Sequence, residues 1–385
     1  MLIGPFAFLL VQCDNPKFVA AKAKAEQGDD QAQYDLGKML FLGQNVAQDD
    51  EEALKWFRQA AGQGNSDAQT ALGGKYAKGR GVPQDDREAV KWFRLAAEQG
   101  HVQGQAALGL MFAQGRGVLQ DHKEALKWFR LAANQGDANA QYNLGMMFSL
   151  GKGVAQDDQE AAKWFRQAAD QGQAQSQFDL GKMFAKGKGV TQDDGQAVKW
   201  FRLAAEQGFA RAQYNLGMRF VQGTGVAQDD QEAAKWFRQA AEQGHVVAQI
   251  DLGRKYANGQ GVAQDDQEAL KWYRLAAGQR HAGAQTALGE KYANGQGVAQ
   301  DDQEALKWYR LAAEQGDASA QWNLGWIFFL GKGIAQDDKE AVKWYRLAAG
   351  QGHAGAQTAL GEKYANGQGV AQDDQEALKW YRLAA

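Results

Sequence analysis

Tryptophan recurs at positions 56, 92, 128, 164, 200, 236, 272, 308, 344 and 380, every 36 residues without a gap. A period of that length marks a repeat architecture, in which one supersecondary unit is copied and buries its faces only against neighbouring copies. Other positions keep the step: Leu36-Gly37, Gly43, Asp49, Lys55, Arg58 and the pair Ala60-Ala61 each recur ten times. Residues 281–313 and 353–385 are identical over all 33 positions. The 385 residues therefore count copies of one unit, where length alone would suggest two or three globular domains.

Each copy reads as two helices. In the second, Ala53, Trp56, Phe57, Ala60 and Ala61 fall at helical spacing on one face. Asp49 precedes it with Glu52 three residues on, the spacing of a capping box: the aspartate accepts from a free N–H of the first turn and the glutamate reaches back. Gly64 or its counterpart supplies the left-handed residue after the helix, except in the seventh copy, where Arg280 stands. The first helix carries Ala32, Leu36, Gly37 and an apolar residue at the place of Leu40, and stops at Gly43. A loop such as Gly79-Arg80-Gly81-Val82 follows, its valine able to turn back into the core. A glycine inside a helix costs about 1 kcal/mol relative to alanine. Keeping Gly37 in every copy implies close approach of another helix, with Trp56 the expected bulk against it.

One helix pair cannot bury both its faces, so the copies must stack. The predicted fold is all-α, an α/α superhelical solenoid of ten 36-residue helix-turn-helix repeats over residues 29–385. Residues 17–28, with Phe18 and Ala25, read as a decayed second helix that caps the first copy, and residues 1–16 as an apolar N-terminal segment. The chain ends at Ala385, inside the tenth second helix. That helix is left to fray, to pair with another molecule, or to continue in a longer chain.

The pattern A-Q-x-x-L-G-x-x-[YF]-x-x-G-x-G-V-x-x-D-x-x-E-A-x-K-W-[FY]-R-x-A-A-x-Q-G, carried almost throughout by residues 140–172, resembles the Sel-1-like repeat family, a bacterial-type branch of tetratricopeptide-like helical repeats. The resemblance implies adaptor work, holding protein complexes together. It also includes a cysteine-rich subgroup linked to β-lactams. This chain departs from that subgroup, because Cys13 is its only cysteine and lies outside the repeats.

Nothing in the residues breaks the repeat to form a catalytic constellation, so the chain reads as a non-enzyme without cofactor or metal. The Asp49-Asp50 and Asp157-Asp158 pairs read as caps, since a calcium loop needs alternating carboxylates and a glycine. Gly187-Lys188-Gly189 and Gly331-Lys332-Gly333 lack phosphate-loop spacing and follow a helix, where that motif follows a strand. The five histidines, 101, 122, 245, 281 and 353, include no pair at zinc spacing, and four of them read as solvated turn residues. With 43 Lys and Arg against 46 Asp and Glu, there is no basic footprint for nucleic acid. Lys55 and Arg58 read as part of a salt-bridged outer face.

The expected function is a protein–protein scaffold, binding a protein or peptide in a concave groove lined by first helices; the alternative is a binder of cell-wall glycan or exopolysaccharide. Contact residues are sought where copies differ, at the places of Tyr34, Asp35, Lys38 and Leu42. The place of Lys38 holds Leu110, Met146, Met218 and Trp326 among others. Trp326 and Trp322 are the only tryptophans off the 36-residue step, and aromatic side chains dominate binding hot spots. Trp322 has a second reading, as a core residue in the slot of Tyr142 and Tyr214. Leu10-Val11-Gln12-Cys13 vaguely resembles a lipoprotein cleavage site, with Gln12 in place of the usual small residue. It makes Cys13 a candidate for lipidation and a lipid anchor the only expected membrane contact. An envelope location is preferred on that ground over a cytoplasmic one.

Overall fold

The computed structural model describes residues 16–385, so Cys13 and nearly all of the apolar N-terminal segment lie outside the described residues. Among those described, the chain forms 21 helices and no strand. Helix α1 (Pro16–Glu26) precedes ten first helices, each followed in sequence by its second: α2 (Asp30–Leu42) then α3 (Asp50–Gly62), α4 (Ser66–Lys78) then α5 (Asp86–Glu98), α6 (Val102–Gln114) then α7 (His122–Asn134), α8 (Ala138–Leu150) then α9 (Asp158–Asp170), and α10 (Ala174–Lys186) then α11 (Asp194–Glu206). The remaining five are α12 (Ala210–Gln222) with α13 (Asp230–Glu242), α14 (Val246–Asn258) with α15 (Asp266–Gly278), α16 (Ala282–Asn294) with α17 (Asp302–Glu314), α18 (Ala318–Leu330) with α19 (Asp338–Gly350), and α20 (Ala354–Asn366) with α21 (Asp374–Ala384). They fall into two compact units, one ending at Asp193 and one running from Asp194 to Ala385. Within each unit every helix packs on its neighbours in sequence, the arrangement of a helical solenoid.

The core follows the repeat. Leu36, Leu72, Leu108 and Leu144 of the first helices are fully buried, as are Leu216, Leu252, Leu288 and Leu324 in the second unit. The alanine pairs of the second helices sit against them, Ala60 and Ala61 being almost inaccessible. Val82 turns back on the cluster of Leu54, Ala60 and Leu72. Ahead of the first pair, α1 packs on α2 through the buried Ala25, with Phe18 against the same cluster.

The bulk facing the helix-interior glycine is Phe57, where the sequence pointed to Trp56. A Cβ at Gly37 would lie 2.9 Å from the Phe57 ring, and one at Gly217 would lie 2.7 Å from Phe237. Successive residues on a helix point about 100° apart. The residue that looks straight at its own first helix is therefore the one after the tryptophan, and Trp56 stands to one side, half-buried. Glycine is kept because the ring of its own repeat occupies the space of its side chain.

The cap expectation holds by half. Asp49 accepts from the Glu52 N–H at 2.9 Å. Glu52 does not reach back. It takes Lys55 Nζ and the Trp56 indole N–H, each at 3.1 Å. The Asp49 N–H that it would reach already donates to the Leu40 carbonyl at 3.0 Å, so the carboxylate turns to the cation and the indole donor within its own turn. At the other end of the second helix Arg280 adopts φ +63°, the left-handed conformation that glycine holds in the neighbouring copies.

Candidate functional site: the first-helix face

The five residues singled out for partner contact lie on first helices. In the first unit Leu110 is exposed and Met146 half-buried; in the second unit Met218 and Trp322 are half-buried and Trp326 is 43% exposed. Leu324, Gly325, Ile327 and Phe328 of α18 face the core, which leaves Trp326 on the opposite side of the helix. It does not stand alone. Its ring stacks on Trp322 at 6.1 Å, and Phe329 meets it at 5.8 Å. Trp322 in turn stacks on His353 of the next copy at 5.4 Å. Trp322 thus occupies the slot of Tyr214, which stacks on His245 at 4.9 Å and on Phe237 at 5.5 Å. The Tyr214 hydroxyl donates to Asp251 at 3.1 Å; burial first, and that carboxylate second, push the phenol up to about 12. Indole has no such hydroxyl, so at Trp322 the slot becomes apolar and continuous with Trp326.

The turn histidines are not simply solvated. His101, His245 and His353 are N-caps of first helices, their Nδ1 atoms accepting backbone N–H bonds from Gly104, Ala248 and Ala356 at 3.1–3.2 Å. An accepting Nδ1 requires the neutral ring with its proton on Nε2. His101 is further held by Thr70 and Asp67 of the preceding copy at 3.0 and 3.1 Å. His281 caps without a side-chain bond. The first three rings are half-buried because each leans on the aromatic or hydroxyl residue of the copy before it, whereas His281 is exposed, as the sequence reading expected. Only a view across copies reveals this.

In several copies the two aspartates of a pair divide the work. The first caps the second helix. The second is an ion-pair partner for a base of the following copy: Asp230 with Lys255 at 2.7 Å, Asp266 with Lys291 at 2.8 Å, Asp338 with Lys363 at 2.8 Å, and Asp86 with Arg116 at 2.6 Å. Among the described residues no three His, Cys, Asp or Glu side chains come together as a metal-ligand set, and no helix is long and apolar enough to cross a membrane.

Sequence reasoning assigned no role to a recurring glutamine. Gln105 is buried, donates to the Ala97 carbonyl of the preceding copy at 3.3 Å, and accepts from Gln135 of its own at 2.8 Å. The same pair of bonds recurs at Gln33, Gln69, Gln141, Gln249 and Gln321. An amide invariant across copies at a position spaced with Leu36 and Gly37 was the available signal. It stitches each copy to the one before, and so holds the first-helix face in register.

Sel1 repeat matches cover residues 30–65, 66–101, 102–137, 138–173, 174–209, 210–245, 246–281, 282–317, 318–353 and 354–385. Each begins at or next to a first helix and runs through its second. The chain is similar to the crystal structure of c5321, described as a protective antigen of uropathogenic Escherichia coli strains with an SLR fold. That likeness has a TM-score of 0.89 and 40% identity over 96% of this chain and 79% of the other. It is also similar to a Sel1 repeat protein from Oxalobacter formigenes, with a TM-score of 0.61 and 35% identity over 83% of this chain and 92% of that one. No curated protein matches. Ten matched repeats, arrayed as consecutive helix pairs with the same residues in the same places, establish that the chain belongs to the Sel1 repeat family.

Proposed function

We propose that this chain is a non-catalytic scaffold whose first-helix face binds a protein or peptide, with Trp326 as an anchor in the second unit and Leu110 as an apolar contact in the first. Repeat solenoids of this type are in general protein-interaction scaffolds, which supports the coarse reading. One observation carries the finer one: a tryptophan left 43% exposed and backed by a second tryptophan at 6.1 Å. A large aromatic surface held rigid before binding loses little entropy when a partner covers it. Met146 and Met218 supply adaptable apolar contact at equivalent places.

The test is affinity capture from a lysate of the source organism, comparing the intact chain with Trp326→Ala and identifying retained molecules by mass spectrometry. A protein retained by the intact chain and lost by the variant, at unchanged helicity, is the expected result. Equal retention by both would reject Trp326 as an anchor, and retention of glycan alone would reject the protein-scaffold reading.

A further inference from the structure

The second copy contains one cation too many. In the sixth, seventh and ninth copies the second aspartate holds one lysine from the next first helix, as Asp338 holds Lys363. There Gln368 completes the lysine's shell at 3.1 Å. At the matching place of the second copy Gln368 is replaced by Arg80, whose Nε takes Asp50 at 3.7 Å. The counterpart of Lys363 is Lys75. It is 6% exposed, and its ammonium nitrogen has no hydrogen-bond partner. It rests instead on the Phe41 ring, 2.7 Å from the centroid. The third copy, which also has an arginine here (Arg116), carries the neutral Met111 at the lysine's place. Only the second copy keeps both bases for one carboxylate.

The same copy has a hole. At the place of Leu110 and Met146 it has Gly74, and a Cβ there would meet nothing within 4 Å. A cavity of about 370 Å³ opens beside it between α2 and α4, within the range of small-molecule sites. Phe41, Phe57 and Tyr34 give it aromatic walls. Lys75 lines it with Lys38, Lys78 and Arg80, and no carboxylate does; the acids that act on its lining include Asp50, held by Arg80, and Asp67 and Asp35, whose charges act on the Tyr34 hydroxyl.

We propose that this cavity is a binding site for a small aromatic carboxylate, whose ring lies among Phe41, Phe57 and Tyr34 and whose carboxylate supplies the counter-charge that Lys75 lacks. The geometry meets two needs at once: the buried ammonium gains a charge-assisted partner, and the space left by Gly74 is filled. Burial has already pulled Lys75 down to about 8, with Asp50 opposing. A bound carboxylate favours the charged form, so near pH 8 binding takes up a proton.

The test uses the full chain with two probes, 4-fluorobenzoate and 6-fluoroindole-3-acetate, each compared with its neutral amide by fluorine NMR line broadening. Two variants copy what the third copy already has: Lys75→Met and Gly74→Leu. Broadening by at least one acid and by neither amide is expected, with affinity reduced about tenfold or more in each variant, the size of a lost bond to a charged group. Calorimetry in buffers of different ionisation enthalpy should report the proton uptake. The proposal is overturned if neither acid broadens, if an amide broadens as much as its acid, or if the acid binds both variants unchanged while circular dichroism shows them folded.

Discussion

Gly73 and Gly74 are neighbours on one helix and have opposite reasons to be glycine. A Cβ on Gly73 would sit 2.7 Å from the Phe93 ring, whereas one on Gly74 would touch nothing. Helix propensity favours alanine by about 1 kcal/mol at both. Gly74→Ala is therefore expected to stabilise the protein by up to about 1 kcal/mol, and Gly73→Ala to destabilise it by about 1–3 kcal/mol as the ring is forced aside. Urea unfolding of the two variants checks this; equal shifts would show that the ring yields freely. Arg280 is a second residue-scale case. The left-handed conformation costs a residue with a Cβ about 1–2 kcal/mol, part of which glycine gives back as chain entropy. Arg280→Gly should thus raise stability by about 0.5–1 kcal/mol in the same measurement.

At the scale of the element, the caps decide how the helices answer to pH. His245 is held below its ordinary value of 6.5, by burial first and by Arg211 second, with Asp251 opposing. Its neutral Nδ1 is the cap of α14. A base whose folded value is depressed contributes stability that is present above 6.5 and lost as pH falls through the folded value. Asp137 and Asp317 cap the equivalent helices with bonds of 2.7 and 2.8 Å. His245→Asp should therefore recover about 1 kcal/mol at pH about 5 and leave pH about 7.5 little changed; amide hydrogen exchange in α14 is the readout. The glutamine stitch is the other element-scale device. Replacing Gln105 with alanine strips a partner from the Ala97 carbonyl and from Gln135, and should cost about 1–3 kcal/mol. An unchanged unfolding midpoint would mean that water replaces the amide.

At the scale of the molecule, stability is a sum over copies and the contacts between them. Trp200 is 4% exposed, and Trp200→Ala should cost about 3–5 kcal/mol. In a globular domain that loss would be shared by the whole chain. Here hydrogen-exchange protection should fall first in α11 and the helices packed on it, while α18 to α21 keep theirs. Uniform loss of protection would show that the copies unfold as one cooperative body.

The repeat itself was legible because packing constraints act locally and identically in each copy. The 36-residue step, the helix pair, the aspartate cap and the left-handed turn each depend on residues close together in sequence, so they leave a periodic mark. The sequence also pointed to a ring against Gly37, but chose Trp56 over Phe57 because it shows periodicity without the angle of each side chain. Contacts that join copies were the part it hid: the stack from Trp326 through Trp322 to His353, the neutral histidine caps, the glutamine stitch, and the unpaired Lys75. Each rests at least in part on how one copy meets the next, as Trp322 meets His353 and His101 meets Asp67. Whether two such residues meet is set by how one helix pair seats on the next, and that is decided only when the tertiary structure forms.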